Sequence, residues 1–367
     1  MRTMAAIPQL PPTVAPVNSS ARTAAAGFAV ALAIATITSA GFAASTPAVT
    51  DAATLLRMSI EAPKTVSYIG QIETIRFSSN RAIATIMKVE HRAPALTRSW
   101  YVAPESIFGD YDITRSNATF HFDVHRNVVV QSRSPKLENA VLSANNVERV
   151  MQNYRALFEG TETVADRAAL SVVLVNKFTG ERAMRLWIDR ETHLVLKKED
   201  YHANGSVASR TRFDAVRYTT EIPEGIFATD LPAKFTLVGG TDVASMNSDV
   251  ERAIGLAGFR PYEPKNLPQG FAMIGGDVSN VSGVKTLHLL YSDGLRSISL
   301  FENATGAAAD FGSLHPRPIP FEGHQGQYVE DGPTTLLTWK EKNLYFALVG
   351  DLMRNELVEI AKSVVPN

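Results

Sequence analysis

The segment Tyr291-Ser292-Asp293-Gly294-Leu295-Arg296-Ser297-Ile298-Ser299-Leu300-Phe301 constrains the chain more than any other. Asp-Gly between two alternating apolar runs is a hairpin signal, because a type I′ turn needs φ > 0 at both central residues. A turn centred on Asp293-Gly294 sets Leu289 opposite Ile298 and Leu287 opposite Leu300, on one face. His288 with Ser299 and Leu290 with Ser297 then share the other face. The hairpin therefore has an apolar side that needs something to cover it.

The rest of the chain reads as strands punctuated by few helices. A helix over Asp51–Ile60 puts Ala52, Leu55, Leu56 and Ser59 on one face, and Pro63 ends it. Strands follow at Val66–Phe77, Ala82–Arg92, Thr97–Val102, Ala118–Val124 and Val128–Ser132. In the second of these, Ile83, Thr85, Met87 and Val89 alternate with Ala84, Ile86 and Lys88. Apolar side chains on both faces predict a strand that is covered twice or lines a cavity. A second helix, with Ser143 as its cap, carries Val147, Val150, Met151 and Tyr154 on one face. Strands resume at Tyr154–Phe158, Leu170–Asn176, Ala183–Asp189, Leu194–Glu199 and Ser209–Ala215. Helix-then-strands, twice and without βαβ alternation, argues for a large antiparallel sheet with helices on one side, an α+β fold.

Gly239-Gly240, Pro232, Pro261 and Pro264 mark Ala228–Tyr262 as a connector, with a short helix at Asp249–Leu256. A second domain starts near Gly258. It holds the Asp293-Gly294 hairpin, a second hairpin of Thr335–Lys340 with Leu344–Val349, and a closing helix capped by Asp351. That helix places Met353, Leu357, Ile360, Ala361 and Val364 on one face, so it should lie on the sheet. Gly306–Gly326, with Pro316, Pro318 and Pro320, reads as a 21-residue loop, either mobile or in contact with a partner.

The N-terminus sets the compartment. No charged residue lies between Thr23 and Thr50, and the apolar run Ala24–Ala44 follows Arg2 and Arg22. Gly41 and Ala43 fit the −3 and −1 positions of a cleavage site, so 1–43 reads as a signal peptide rather than an anchor. Removing it takes two Arg and no acid, leaving 34 basic against 37 acidic residues, a charge of −3. No basic stripe suggests a nucleic-acid partner. The absence of cysteine excludes disulfides, thiolate metal sites, a lipoprotein anchor and cysteine nucleophiles.

Catalytic motifs are missing as well: there is no nucleophile elbow, Walker loop, HExxH or dinucleotide fingerprint. His121 and His125 share a strand face but stand about 13 Å apart, too far for one metal ion. The reading is of a binding protein, not an enzyme, with no cofactor.

The C-terminal residues resemble a known family. Leu267-Pro268-Gln269-Gly270-Phe271, the Ser292-Asp293-Gly294-Leu295 turn, Val349-Gly350-Asp351 and Ile360-Ala361-Lys362-Ser363-Val364 are similar, in that order, to the C-terminal domain of the RseB/MucB family. Tyr68-Ile69-Gly70, Tyr154-Arg155, Val164-Ala165-Asp166-Arg167, Leu186-Trp187-Ile188-Asp189 and Thr192-His193-Leu194 resemble its N-terminal domain. Asp166 and His193 stand where that family has glycine, and both residue types tolerate positive φ better than most. Ile222-Pro223-Glu224-Gly225-Ile226-Phe227 is similar to the closing phrase of LolA/LolB-like lipoprotein-carrier domains.

The resemblance implies a half-open antiparallel β-barrel with helices on its concave side (LolA-like) over 51–228, a linker over 229–257, and a smaller antiparallel sheet packed by a terminal helix over 258–367. It implies a periplasmic negative regulator of a sigma-E-type stress response. Such a protein binds the periplasmic domain of an anti-sigma factor and senses lipid or lipopolysaccharide. A LolA-like carrier of lipid, or of lipoprotein acyl chains, is the alternative, and homo-oligomerisation stays open. On this reading Tyr68, Met87, Trp100, Phe108 and Trp187 line an acyl-chain cavity, although a plain sheet core explains the same aromatics. Tyr291 and Arg296 are the partner-binding candidates, since Tyr and Arg are enriched among interface hot spots.

Overall fold

The computed structural model describes residues 51–77, 82–115, 118–132, 147–239, 250–281, 284–305, 315–331 and 334–366. The segment read as a signal peptide and the Ser143 cap lie outside them. Residues 46–367 form one compact unit.

The first half begins with helix α1 (Ala52–Glu61), then β1 (Tyr68–Phe77), β2 (Ala82–Arg92), β3 (Leu96–Ala103), β4 (Tyr111–Arg115), β5 (Ala118–Asp123) and β6 (Val128–Ser132). Helix α2 (Val147–Asn153) leads straight into β7 (Tyr154–Val164), followed by β8 (Arg167–Asn176), β9 (Arg182–Asp189), β10 (Val195–Tyr201) and β11 (Val207–Tyr218). The stretch read as a linker supplies β12 (Thr236–Gly239) and α3 (Val250–Ala257). These strands form one 12-stranded sheet ordered β12-β6-β5-β4-β3-β2-β1-β11-β10-β9-β8-β7. Its pairings are antiparallel except β12 on β6, which is parallel. The sheet stays open, with β12 and β7 at its edges.

Three apolar clusters hold this half. Ala52, Leu55 and Leu56 of α1 and Val150 of α2 pack on Tyr154, Val172, Leu174, Leu186 and Ile188. The α1 face is the one expected, and Asp51 caps the helix by accepting from the Thr54 backbone N–H at 2.7 Å. Tyr68, Ile72, Met87, Val89 and Tyr101 form a second cluster with Trp187, Leu196 and Phe213. Ile113, Phe122 and Val129 form a third under Ile222, Phe227 and Phe235, so the closing phrase of this half folds back over β4–β6. Strand β2 follows the second of its two expected arrangements, lining a cavity rather than being covered twice. Thr85, Met87, Val89 and His91 are buried, while Ala84 and Lys88 are exposed, so one face is covered rather than two.

Asp166 and His193 both adopt positive φ, +59° and +61°, so each turn keeps the conformation that glycine would supply. Gly70 has a steric reason. A Cβ there would stand 2.8 Å from the Phe213 ring and from the Ala215 carbonyl oxygen, where an extra residue in β11 bulges the β1–β11 ladder.

The second half contains β13 (Tyr262–Pro264), β14 (Ala272–Val281), β15 (Val284–Ser292), β16 (Ser297–Asn303), β17 (Arg317–Phe321), β18 (His324–Asp331), β19 (Thr334–Glu341), β20 (Leu344–Gly350), α4 (Arg354–Lys362) and β21 (Val364–Pro366). A 7-stranded antiparallel sheet runs β14-β15-β16-β20-β19-β18-β17, and β13 pairs with β21. Helices α3 and α4 cover the sheet's core of Leu287, Leu289, Tyr291, Ile298, Leu300, Trp339, Phe346 and Leu348.

Three expectations change here. The β15–β16 register is shifted by two: Leu289 pairs with Leu300, Tyr291 with Ile298 and Ser292 with Ser297. The cause is the Asp293 carboxylate. Its Oδ1 accepts from the backbone N–H groups of Leu295 and Arg296 at 2.9 and 2.8 Å, which closes a longer loop than a two-residue turn. Second, residues 317–326 are not loop but β17 and its turn into β18. Pro318 and Pro320 are tolerated because β17 is an edge strand, where a missing N–H leaves no ladder partner unpaired. Third, Asp351 does not cap α4. It accepts from Thr334 Oγ1 at 2.9 Å, and Glu356 reaches back to the Met353 N–H at 2.9 Å instead.

One buried acid stands out in this core. Glu302 is fully buried, and one carboxylate oxygen accepts from the Tyr262 N–H at 2.9 Å. Its other oxygen has no partner among the described residues. Burial, reinforced by Glu263, pushes its carboxyl up to about 8.

Candidate functional site

The β15–β16 turn is where the two halves meet. Asn153, the last residue of α2, donates through Nδ2 to the carbonyl oxygens of Gly270 and Asp293 at 2.9 and 2.8 Å. Tyr154 OH donates to Asp293 Oδ2 at 2.6 Å, and Arg296 Nε donates to the same oxygen at 3.2 Å. Asp293 has no exposed surface, so one carboxylate both closes its own turn and fastens the first half to the second. Burial, and then the Asp293 charge, push the Tyr154 phenol well above its ordinary range. Burial opposes the Arg296 charge, but Tyr154 and Asp293 beside it more than restore it. Gly294 adopts φ +104°, and a Cβ there would lie 2.8 Å from the Val150 backbone nitrogen. Leu295 packs on the α1–α2 core. The Ser-Asp-Gly-Leu phrase is thus an interlocking joint whose every position has a contact to satisfy.

A second feature lies on the large sheet. A groove of about 490 Å³ is lined by Ile69 and Gln71 of β1, Lys88 and Glu90 of β2, Arg98 and Trp100 of β3, and Ala215 and Arg217 of β11. Strand register explains the set. Arg217, Ile69, Glu90 and Arg98 form one cross-strand row, and Ala215, Gln71, Lys88 and Trp100 the next. Both rows occupy the face opposite Tyr68, Ile72 and Met87, because neighbours along a strand alternate. Trp100 stacks on Tyr111 with ring centroids 5.5 Å apart, and the Arg98 guanidinium lies 5.2 Å from the Trp100 ring.

The residues expected to line an acyl-chain cavity therefore divide. Tyr68 and Met87 are core, with Tyr68 stacked on His91 at 5.0 Å. Trp187 is core as well, its ring held between Arg185 and Lys197, 4.4 and 3.8 Å from its centroid. Phe108 is exposed beside His125, which bonds the Phe108 carbonyl oxygen at 3.0 Å. Of the five, Trp100 alone lines the groove. The other face of β1–β3 holds a small polar cavity of about 200 Å³, lined by Thr74, Arg76, Thr85, Met87, Tyr101 and His121. There Asp112 is bonded by Tyr101 OH and His121 Nδ1, each at 2.7 Å. The partner candidates Tyr291 and Arg296 were expected on the surface. Tyr291 is instead 2% exposed and Arg296 is locked in the joint. Asn153, Ile69 and Arg217 were not found from sequence. For Ile69 and Arg217 the signal was alternation along β1 and β11, which names a face only once the register is known; nothing in the sequence marked Asn153.

Among the described residues no group of three or more His, Asp or Glu could hold a metal ion, and no helix is long and apolar enough to cross a membrane.

An open twelve-stranded sheet locked to a smaller helix-backed sheet, with a groove on the larger one, defines a two-part protein of the α+β class. The N-terminal domain of the MucB/RseB family matches residues 111–231, and a domain of unknown function (DUF4367) matches residues 261–364. Residues 111–231 thus carry a domain of the MucB/RseB N-terminal type. The chain is similar in fold to the complex structure of Pseudomonas aeruginosa MucA/MucB, at 17% identity and a TM-score of 0.60, covering 86% of this chain and 99% of that one. A structure of MucB in complex with MucA(peri) matches over the same shares at 17% identity and 0.59. MucB by itself matches at 16% identity and 0.50, over 86% of this chain and 98% of that one. Comparison with curated proteins by sequence gave no match.

Proposed function

We propose that the chain is a periplasmic regulator that holds the periplasmic segment of an anti-sigma factor and lets go when it binds lipid or lipopolysaccharide. The match to the MucB/RseB N-terminal domain carries this reading. It rests on residues 111–231, and the fold extends the likeness over both halves to MucB chains determined with MucA. On this reading residues 1–43 direct export and the chain works as a binding protein without chemistry of its own. Tyr291 acts on partner capture through the core of the second half, where it is buried, and Arg296 through the joint, where it is half-buried on Asp293. A LolA-like carrier role draws less support, because the second half is as fully built as the first.

The test is direct. The periplasmic segment of a one-pass anti-sigma protein encoded beside a sigma factor in the same genome is titrated into the exported chain by calorimetry. Saturable one-to-one binding is expected. No binding by any such segment would remove the proposal.

A further inference from the structure

The expected acyl-chain lining is filled with its own side chains, yet the opposite face of the same strands is open. The groove there has an apolar floor of Ile69 and Ala215 and an aromatic wall, Trp100, that is 37% exposed. Lys88, Arg98 and Arg217 stand around it against one acid, Glu90. Glu90 does not use up this charge, since its contact to Arg98 is 3.9 Å long. Arg98 Nε is buried with no hydrogen-bond acceptor among the described residues. A buried donor without an acceptor favours a ligand that brings one. The groove's size lies within the range of small-molecule sites. β-Bulges interrupt the ladder on both sides, at Gln71/Ile72 and at Ile86/Met87, and they bend the strands where the groove opens.

The geometry points to a seat for a single-chain anionic amphiphile, a long-chain carboxylate, on the face of the large sheet formed by β11, β1, β2 and β3. The alkyl chain lies on Ile69, Ala215 and Trp100, where each buried methylene adds to affinity. The carboxylate meets Arg98, Lys88 and Arg217, and a cationic head would meet repulsion at the same place. This deepens the lipid half of the function proposed above and rests on it. Anti-sigma binding is independent of it.

Trp100 is a built-in reporter, because Trp187 and Trp339 are 1% and 3% exposed. The full exported chain is titrated with dodecanoate below its micelle concentration. A saturable blue shift of tryptophan emission is expected, and dodecyltrimethylammonium at equal concentration should give none. Lys88→Gln with Arg217→Gln, both exposed positions, should weaken dodecanoate at least about fivefold while the melting temperature stays within a few degrees. Calorimetry on Trp100→Phe, which removes the reporter but keeps an aromatic wall, should still detect binding. Dodecanoate that binds with unchanged affinity to the double variant overturns the placement and leaves lipid sensing standing. Equal response to the cationic amphiphile overturns the head-group assignment. A hexaglutamate peptide that shifts Trp100 as strongly as dodecanoate assigns the groove to acidic peptide and overturns the lipid. No saturable binding of dodecanoate at all overturns the inference, and calorimetry with lipopolysaccharide then decides whether the lipid half of the function falls with it.

Discussion

Glu302→Gln should make the protein more stable at neutral pH, by an amount that depends on pH in a defined way. Burial raises the wild-type carboxyl to about 8 in the folded chain, against the ordinary 4.5 of a glutamate in the unfolded one. Below pH 4.5 the group is protonated in both states and favours neither. Between 4.5 and 8 the unfolded chain releases a proton that the folded chain keeps, so wild-type stability falls as pH rises. Above 8 the loss is complete. The slope contributed by one such group is about 1.4 kcal/mol per pH unit, which sums to roughly 3 kcal/mol between pH 4.5 and 7. Glutamine retains an acceptor for the Tyr262 N–H and has no proton to lose. Urea unfolding followed by tryptophan emission, at half-unit steps from pH 5 to 8, should give curves for wild type and variant that diverge steadily. Parallel pH profiles would refute the argument that Glu302 is held protonated by burial.

Three further outcomes are expected. Tyr154→Phe removes the phenol that donates to buried Asp293, and it should lower stability by about 1–3 kcal/mol in chemical denaturation, with protease nicking between the halves appearing earlier. Gly70→Ala forces a methyl group to within 2.8 Å of Phe213 and the Ala215 carbonyl, and should lower the melting temperature by several degrees while Ala215→Gly, at an exposed position beside it, does not. Trp187→Asp, which the sequence marked as a ligand probe, should cost more than about 3 kcal/mol by thermal melting, since it places a carboxylate in the core. A folded Trp187→Asp chain with wild-type melting would contradict that burial.

Type and order were legible for most elements because alternation survives in those strands and because α1 and α4 carry clean apolar faces, but β4, β14 and β18 were not read as strands. The Asp166 and His193 turns were legible for a related reason: few residues accept the φ that both positions take up. Register was not legible. The Asp-Gly pair suggests a two-residue turn, but Asp293 uses its side chain to hold two more backbone N–H groups, and every pairing in the hairpin moves by two. Because the shift is even, the buried face was still correct. Strand β17 was hidden by its prolines, which forbid a central strand but not an edge. The candidate site was the least legible part. Tyr68, Met87, Trp100 and Trp187 are alike as residue types, and only the partners across each strand separate a core ring from a groove wall. Tyr291 and Arg296 look like surface hot spots in sequence, but the second half buries Tyr291 and the joint holds Arg296 half-buried on Asp293.

Strand β17 also sets a boundary on how this protein meets copies of itself. Pro318 and Pro320 are two residues apart, so both missing donors fall on one side of the strand, while the antiparallel register with β18 runs unbroken from Arg317 to Phe321. The ladder to β18 is therefore served by the intervening residues, and the outward side offers acceptors without a full set of donors. A neighbouring chain that tried to extend the seven-stranded sheet from this end would find every second rung missing. Strand exchange and fibrous stacking are thus discouraged at this margin, and an unfolding intermediate that frees the β17–β18 hairpin stays a poor template for further growth.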